Sequence, residues 1–278
     1  MANLTTINRI AIAGNIKKIN QHRVTKFIIE SFKKNNFHVN TITPVKYQST
    51  NSLNIEDVDQ SNTDLLCILG GDGTIIGVIR SLSKQVPILG INVGSKGVLT
   101  EIFPDEIDLA IDSIKRDRFH VQEHMMLKLD VGDPVKKLTA LNEVLLYRGS
   151  LTELPLFTIA QKELLIKKRM DGLIISTPTG STGHSFSLDG PVLDETLDAF
   201  LLNSIGSVQR LPPIIVQPLP LSVSCSNKAN LVIDGQIKQS LERNKVIQIE
   251  RNEEKAKFLK VFTGRLSQIQ KLGFDIIG

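Results

Sequence analysis

Residues 70–74 read Gly-Gly-Asp-Gly-Thr, a combination of residue types that suits the handling of a phosphate. This run follows the apolar segment 65–69 and precedes a segment with helical spacing. Glycines let backbone N–H groups turn toward an anion, and the start of a helix adds a positive partial charge there. Asp72 would repel a phosphate unless it binds a metal or takes a proton from a hydroxyl nucleophile. The run therefore indicates a phosphate site with a carboxylate that has one of these two roles.

The same residues allow a simpler interpretation, which is a tight turn with Asp72 capping the helix. Two common phosphate-binding fingerprints do not fit this position. No Lys follows the glycines as the GxxxxGK[ST] pattern needs, and Gly77 falls one position late for GxGxxG. The spacing alone leaves both interpretations open.

A second segment, 171–191 (DGLIISTPTGSTGHSFSLDGP), joins an apolar strand to a run rich in hydroxyl groups. Pro178 restricts the turn, while Gly180 and Gly183 permit close approach of the backbone. Ser and Thr hydroxyls can bond to phosphates, sugars or amides. The alternative is a Ser/Thr-rich surface loop, although flexible loops seldom carry a stiff Pro directly after a strand. We interpret the segment as part of a binding site.

Asn142 and Glu143 are adjacent polar residues inside the apolar run 141–146 (LNEVLL). Neighbouring residues of a strand face opposite sides, so simple alternation cannot place both in solvent. A buried Asn or Glu needs partners. The pair therefore belongs either to a binding site or to an edge strand or bulge. Residues 234–236 (DGQ) predict a hairpin turn.

Two histidine patterns are weaker indications of a functional site. His120 and His124 have the spacing of a metal-binding pair on a helix, but 125–131 is typical of a strand and no third ligand is near. His184 stands among serines, but the GxSxG elbow of hydrolases is missing. We interpret the first pair as structural and do not assign a Ser–His nucleophile.

The elements that must position these residues change in character along the chain. Up to about residue 116, short buried strands alternate with helical patterns, which is typical of a parallel α/β sheet. A loop is predicted over 44–62. The predicted strands here are 9–14, 37–43, 65–69 and 86–93, and the predicted helices are 21–35, 74–83 and 105–116.

From about residue 117 on, segments with period-2 alternation predict a β-rich second domain. A helical pattern interrupts them at 193–203, and 265–271 predicts a final helix that ends near Gly273. The predicted strands are 125–131, 139–147, 158–167, 173–176, 214–216, 221–226, 231–233 and 246–250.

The composition is that of a folded chain with one or two domains. Its 278 residues are 41% hydrophobic and 22% charged, which argues against wholesale disorder. A net charge of +4 and 5% aromatic residues without Trp do not indicate nucleic-acid binding. Cys67 and Cys225 are too far apart for a CxxC pair and favour a reducing, cytoplasmic compartment. We expect neither a signal peptide nor a membrane span, because no long apolar run is present.

In content and order, the motifs of this chain resemble those of the NAD kinases over nearly its whole length. GGDGT alone is shared with diacylglycerol-type lipid kinases and phosphofructokinases, whereas NEV and TPTGST are more specific. The runs that carry the resemblance are 70–74 (GGDGT), 90–101 (GINVGSKGVLTE), 140–149 (ALNEVLLYRG), 171–182 (DGLIISTPTGST), 234–236 (DGQ) and 262–274 (FTGRLSQIQKLGF).

The resemblance implies transfer of a phosphoryl group from ATP or another donor to the 2′-hydroxyl of the adenosine ribose of NAD, which gives NADP. By the same resemblance, Asp72 is the general base, and Gly71, Gly73 and Thr74 cradle the donor phosphates. Mg²⁺ or another divalent cation accompanies the nucleotide, with no ligand assigned. The implied dinucleotide-binding residues are Asn142, Glu143, Arg169, Asp171, Thr179, Thr182, Gly183, His184, Ser187 and Gln236.

The resemblance also implies an α/β N-terminal domain with a parallel sheet, a β-rich C-terminal domain, and a C-terminal helix that returns to the first domain. The expected domains are 1–116, joined by 260–278, and 117–259, with the site between them. The expected partners are the small molecules NAD and ATP, with no nucleic acid and no membrane, in a homodimer or homotetramer. Two other functions stay open: a lipid or other small-molecule kinase that shares GGDGT, and a non-catalytic dinucleotide sensor.

Three positions depart from the family's usual pattern. The family usually has STAY where 181–184 reads STGH, GFL where 97–99 reads GVL, and GGP where 189–191 reads DGP. His184 therefore replaces a Tyr that would pack on the dinucleotide with more area. These changes predict a weaker adenine pocket, and the imidazole predicts a pH-dependent KM between about pH 5 and 8.

Overall fold

The computed structural model describes residues 7–14, 20–48, 50–94, 97–132, 138–262 and 271. The chain divides into two compact units, Met1–Glu123 with Ala256–Gly278, and His124–Lys255. Along the chain, the second unit is therefore an insertion within the first.

Nineteen strands and three α-helices lie within the described residues. None of the described helices is long and apolar enough to cross a membrane. The helices are α1 (Asn20–Lys34), α2 (Asp72–Ser81) and α3 (Ile107–Lys115). The strands are β1 (Arg9–Gly14), β2 (His38–Ile42), β3 (Ser52–Leu53), β4 (Leu65–Gly70), β5 (Pro87–Asn92), β6 (His120–His124), β7 (Leu127–Asp130), β8 (Leu138–Ala140), β9 (Glu143–Arg148), β10 (Leu156–Gln161), β11 (Leu164–Arg169), β12 (Gly172–Ser176), β13 (Phe200–Ile205), β14 (Ile214–Val216), β15 (Leu221–Cys225), β16 (Ala229–Ile233), β17 (Ile237–Leu241), β18 (Val246–Arg251) and β19 (Ala256–Lys260).

The first unit is built on a sheet with the strand order β3-β2-β1-β4-β5-β19-β6. From β3 to β19 each pairing of neighbours is parallel. The chain moves outward from β1 through α1 to β2, and outward on the other side from β4 through α2 to β5. The strand order therefore reverses between β1 and β4. In open α/β sheets, ligands bind beside the carboxyl ends of the strands at such a point.

Helices cover both faces of this sheet. All six residues of β4 are buried, as expected for a central parallel strand. On one face, Cys67 shares a buried cluster with Phe32 of α1 and Ile111 of α3. On the other face, α2 approaches so closely that a Cβ on Gly90 of β5 would lie 2.8 Å from Ile75 Cδ1. Packing on two faces explains the continuous apolar runs of these strands, which lack simple alternation.

The second unit consists of two six-stranded antiparallel sheets. Their orders are β11-β10-β15-β18-β7-β8 and β14-β13-β12-β9-β16-β17. One buried cluster contains Phe157 and Val223 from the first of these sheets and Leu146, Ile175 and Phe200 from the second. The sheets therefore pack face to face as a sandwich, and each large side chain buried there contributes roughly 1.5–3 kcal/mol.

The α/β and β-rich parts predicted from the sequence are confirmed, but three local predictions are wrong. Residues 193–203 do not form a helix, because their apolar end belongs to β13 in the interior of a sheet. Residues 158–167 do not form one strand, since β10 and β11 are a hairpin that turns at Lys162, where φ is +48°. Residues 44–62 contain β3 and a short 3-10 helix, and are not loop alone.

The sequence patterns also missed β6, β17 and β19, and they joined β8 to β9. Only Leu241 of β17 is buried, so the strand lacks a clear apolar alternation. The predicted C-terminal helix lies outside the described residues, apart from Lys271, which is helical.

Candidate active site

The GGDGT run lies at the carboxyl end of β4, where the strand order of the first sheet reverses. β4 ends at Gly70, and Asp72 is the first residue of α2. A Cβ on Gly70 would lie 2.6 Å from Thr74 Oγ1, so the absence of a side chain lets the helix begin directly after the strand. A Cβ on Gly71 would meet nothing within 4 Å. The helix therefore starts beside open space, and its partial positive charge suits an anion there.

The Asp72 carboxylate accepts hydrogen bonds from backbone amides and does not cap the helix. Its Oδ2 accepts from the N–H of Val98 at 2.9 Å, and its Oδ1 accepts from the N–H of Leu99 at 2.9 Å. The N-cap residue is Gly71, and no side chain caps the helix. The capping interpretation is therefore wrong. Two amides orient the carboxylate while each oxygen keeps a lone pair for another proton donor, a geometry that suits a base.

In the second unit, three strand ends meet at one edge of a sheet. β9 lies between β12 and β16 and is antiparallel to both. Glu143 at the start of β9 pairs with Ser176 at the end of β12, and Val144 pairs with Ile233 at the end of β16. The NEV, TPTGST and DGQ motifs therefore come together although they are far apart in the sequence. Because β9 has a neighbouring strand on each side, the interpretation of the Asn-Glu pair as part of an outer strand of the sheet is wrong.

Asp234 ties the NEV segment to the turn after β16. Its Oδ1 accepts from the N–H groups of Asn142 at 2.8 Å and Glu143 at 3.1 Å. Its Oδ2 accepts from the N–H of Leu141 at 3.0 Å. The φ values of Asp234 and Gly235 are +49° and +65°, in the left-handed region that Asp and Gly tolerate in turns, and the N–H of Gln236 donates to the carbonyl of Ile233 at 2.9 Å. The predicted hairpin turn is confirmed, and its Asp also fixes the backbone of the next motif.

Three buried polar atoms at this edge have no hydrogen-bond partner among the described residues: Glu143 Oε2, Asn142 Oδ1 and Ser176 Oγ. Gly183 lies beside the Glu143 and Asn142 side chains, since a Cβ there would be 3.3 Å from Glu143 Oε2 and 3.7 Å from Asn142 Nδ2. Burial, and then the charge of Asp234, raise the pKa of Glu143 to about 7. A buried polar group without a partner costs about 1–3 kcal/mol. These atoms therefore point to a bound ligand as the missing partner.

Residues 177–181, the part of the Ser/Thr segment directly after β12, are buried, so the surface-loop interpretation is wrong for this part. Thr177 and Ser181 are both fully buried. Thr177 Oγ1 donates to the carbonyl of Leu141 at 2.6 Å and accepts from the N–H of Gly180 at 3.0 Å. Ser181 Oγ accepts from the N–H of Leu193 at 2.9 Å. Thr177 therefore fastens the segment to the backbone next to the NEV motif, and Ser181 fastens it to the backbone at Leu193.

The other side chains of this segment that we expected to bind a ligand differ in exposure. Thr179 is buried, and its Oγ1 lies 3.0 Å from His124 Nδ1. Thr182 Oγ1 donates to the carbonyl of Thr179 at 3.1 Å, and Ser187 Oγ donates to the carbonyl of His184 at 2.7 Å. His184 and Ser187 are exposed. His124 therefore has a structural contact, as expected, and His184 is accessible to a ligand.

Arg169 and Asp171 precede β12 and so lie at its opposite end from Ser176, about 17 Å away for a five-residue strand. Asp171 Oδ1 pairs with Arg148 Nε at 2.8 Å. The structure therefore does not bring Arg169 and Asp171 to the edge that carries the NEV segment. Gln236, by contrast, is exposed directly after the turn at that edge.

Both halves of the chain match known domains. The ATP-NAD kinase N-terminal domain matches residues 8–119, and the ATP-NAD kinase C-terminal domain matches residues 141–261. The NAD kinase of Clostridium beijerinckii is 32% identical over 263 residues, covering 91% of this chain and 90% of that protein. The chain belongs to the NAD kinase family.

Further NAD kinases agree in sequence and in structure. The NAD kinase of Thermococcus sibiricus is 32% identical over 242 residues, covering 84% of this chain and 87% of that protein. A crystal structure of an NAD kinase from Archaeoglobus fulgidus in complex with ATP superposes with a TM-score of 0.75 at 26% identity, over 95% of this chain and 99% of that one. A yeast NADH kinase complexed with NADH shares the fold, with a TM-score of 0.84 at 20% identity, over 99% of this chain and 90% of that one.

Sequence reasoning missed residues that shape this candidate site. Asn203 Nδ2, buried in β13, donates to the carbonyls of Ser185 at 3.2 Å and Leu188 at 3.1 Å, and so holds the turn that carries Ser187. A lone Asn in the apolar run FLLNSI is the same signal that drew attention to Asn142, and it was available. The three hydrogen bonds that the Asp234 carboxylate accepts could not be recognised from residue types, because they depend on which strands are neighbours in the sheet.

A divalent cation has few protein ligands available in this NAD kinase. Among the described residues, no three His, Cys, Asp or Glu side chains lie close enough to hold a metal ion. The GGDGT run offers one carboxylate, Asp72, whose oxygens also accept two amides. This donor set fits Mg²⁺ that is held mainly by substrate phosphates and waters.

Proposed function

We infer that this protein is an NAD kinase, which transfers a phosphoryl group from ATP to the 2′-hydroxyl of the adenosine ribose of NAD and forms NADP. The observation that carries the reaction is the Asp72 carboxylate, oriented by two amides at the open start of α2. A lipid kinase and a non-catalytic sensor are not favoured, because ATP-NAD kinase domains match both halves of the chain.

We propose Asp72 as the general base. The 2′-oxygen forms a bond to the transferred phosphorus, the bond from that phosphorus to the leaving oxygen of ADP breaks, and the hydroxyl proton passes to Asp72. A ribose hydroxyl is a weak nucleophile, so a positioned carboxylate typically contributes about 10²–10⁴-fold to such a step. Gly71, Gly73 and Thr74, at the start of α2, are proposed to cradle the donor phosphates.

For the dinucleotide, we propose the edge formed by the NEV, TPTGST and DGQ motifs. Hydroxyl and amine groups of the ligand would form hydrogen bonds with Asn142 Oδ1 and Glu143 Oε2, which have no hydrogen-bond partner among the described residues. The exposed ring of His184 can stack on the ligand. The remaining proposed contacts at this edge are Thr179, Thr182, Gly183, Ser187 and Gln236. For Arg169 and Asp171, only the family resemblance supports a contact.

Three further properties are proposed. Mg²⁺ or another divalent cation accompanies ATP and supplies charge neutralisation when bound, consistent with the single carboxylate at GGDGT. The protein acts in the cytoplasm, with which two buried free thiols, Cys67 and Cys225, are compatible. It assembles as a homodimer or homotetramer and has no nucleic-acid partner.

The test is an endpoint assay with ATP, Mg²⁺ and NAD, coupled to an NADP-specific dehydrogenase. We expect Asp72→Asn to lower kcat by about 10²–10⁴-fold while NAD binding, measured by calorimetry, is retained. The matched control is Asp105→Asn, which changes an exposed aspartate of the same unit and should leave kcat unchanged.

The outcomes separate the alternatives. Turnover with polyphosphate or NADH but not with ATP and NAD would keep the family and change the specificity. NAD binding without turnover under any of these conditions would favour the sensor. Unchanged kcat in Asp72→Asn would remove that residue from the role of base.

A further inference from the structure

Lys271 makes a contact in the first unit that links it to the candidate base. Its Nζ donates to the carbonyl oxygens of Val98 at 2.9 Å and Thr100 at 2.6 Å. These carbonyls belong to the segment whose amides hold Asp72. Lys271 thus forms hydrogen bonds with a segment more than 170 positions earlier in the sequence.

The two sets of hydrogen bonds share one peptide group. The carbonyl of Val98 and the N–H of Leu99 belong to the same planar unit and point in opposite directions in the trans form. Lys271 binds the oxygen end of this unit, and Asp72 Oδ1 binds the nitrogen end at 2.9 Å. A cation at the carbonyl polarises the peptide and strengthens its N–H as a donor. The ammonium therefore acts on the carboxylate through the backbone.

The segment 97–100 packs closely around the Asp72 carboxylate. Gly97 approaches Asp72 so closely that a Cβ there would lie 3.2 Å from Oδ1 and 2.6 Å from Thr100 Oγ1. The hydroxyl of Thr100 donates back to the Gly97 carbonyl at 3.3 Å, within the same turn. Lys271 adds two hydrogen bonds from a residue far along the chain, to the Val98 and Thr100 carbonyls, and so restrains this turn.

We propose that Lys271 is a positioning residue for Asp72, a role that rests on the proposed function. It fixes the peptide groups of 98–100, and their amides aim the carboxylate at the 2′-hydroxyl. A purely structural role, in which Lys271 only anchors the C-terminal residues, makes different predictions for kinetics and for amide exchange.

The kinetic test compares Lys271→Met with Lys271→Arg. Met keeps the length of the side chain and loses its charge and donors. We expect kcat to fall by about 10–100-fold, as for a misplaced catalytic group, with KM for NAD and ATP changed less than about threefold. Arg, which can donate to both carbonyls, should restore most of kcat. Lys84→Met, at an exposed lysine of the same unit, is the control and should leave kcat unchanged.

A double-mutant cycle asks whether Lys271 acts through Asp72. In the Asp72→Asn background, Lys271→Met should change kcat less than about twofold, because no carboxylate is left to aim. A full additional loss in that background, or a loss carried by KM alone, would overturn the proposal.

Hydrogen exchange separates a failure of this proposal from a failure of the proposed function. In Lys271→Met, the amides of Val98 and Leu99 should exchange at least about tenfold faster, with the melting temperature of the protein preserved. This readout needs no turnover, so it holds even if the wild-type protein phosphorylates another substrate. Unchanged exchange at both amides would refute the positioning role whatever the activity.

Discussion

Glu143→Gln should abolish a pH dependence of stability that the wild-type protein carries in the absence of ligand. Glu143 is 7% exposed, and its pKa rises from 4.5 to about 7 because of burial and the nearby charge of Asp234. In the unfolded chain neither cause remains. Between these two pKa values the folded protein keeps a proton that the unfolded chain releases.

The sign and size of the effect follow from proton linkage. Because the folded state binds the extra proton, the free energy of unfolding falls as pH rises from 4.5 to about 7. Each unit of difference is worth about 1.4 kcal/mol, so the full window carries about 3 kcal/mol. Between about pH 5.5 and pH 8, the linkage relation predicts that the free energy of unfolding falls by about 2 kcal/mol. Gln cannot titrate, so the variant should lack this component.

The assay is urea unfolding followed by circular dichroism, with wild type and variant measured at both pH values. Other titrating groups contribute equally to both proteins and cancel in the difference. Glu163→Gln, at an exposed glutamate in a turn of the same unit, should follow the wild type. If wild type and Glu143→Gln lose stability in parallel, within about 0.5 kcal/mol, the reasoning from burial is refuted.

Two further predictions concern the same edge of the second unit. Gly180→Ala should lower the free energy of unfolding by about 1–3 kcal/mol or more in urea titrations, because a Cβ would overlap the backbone carbonyl of Asn142; stability like that of wild type would mean that this contact is looser than described. His184→Tyr should lower KM for NAD, because the phenol ring offers more stacking area than the imidazole; an unchanged KM would exclude His184 from the binding surface.

The matched control for the glycine substitution is Gly71→Ala, read by stability alone. A Cβ at Gly71 would meet nothing within 4 Å, and its φ of −103° is open to any residue. The two variants therefore separate a packing clash from the general cost of replacing a glycine.

The sequence predicted elements well where burial imposes a pattern. The run 65–69 is continuously apolar because β4 is covered on both faces, and its end at a glycine placed GGDGT correctly before α2. The hydrophobic pattern gave wrong predictions where an apolar run fits both a helix and a buried strand. The run around 200–203 was compatible with a helix or a buried strand, and the position of β13 beside β12 decided between them.

The site was predicted in part for the same reason. A polar pair in an apolar strand correctly marked Asn142 and Glu143 as unusual, because burial without partners has a cost that the sequence reveals. The amides that hold Asp72 and the acceptor role of Asp234 could not be predicted. Both depend on long-range backbone geometry, which residue types do not encode.

The place of β19 between β5 and β6 has a consequence for the order in which the molecule forms during synthesis. β5 and β6 leave the ribosome long before β19, so the gap between them stays open while residues 124–255 are made. Those residues form a compact unit that can fold first, since domains fold as units during translation. Until β19 arrives, the facing edges of β5 and β6 expose unpaired N–H and C=O groups, which invite pairing with other chains. Nascent and truncated products are therefore the forms of this protein most exposed to aggregation.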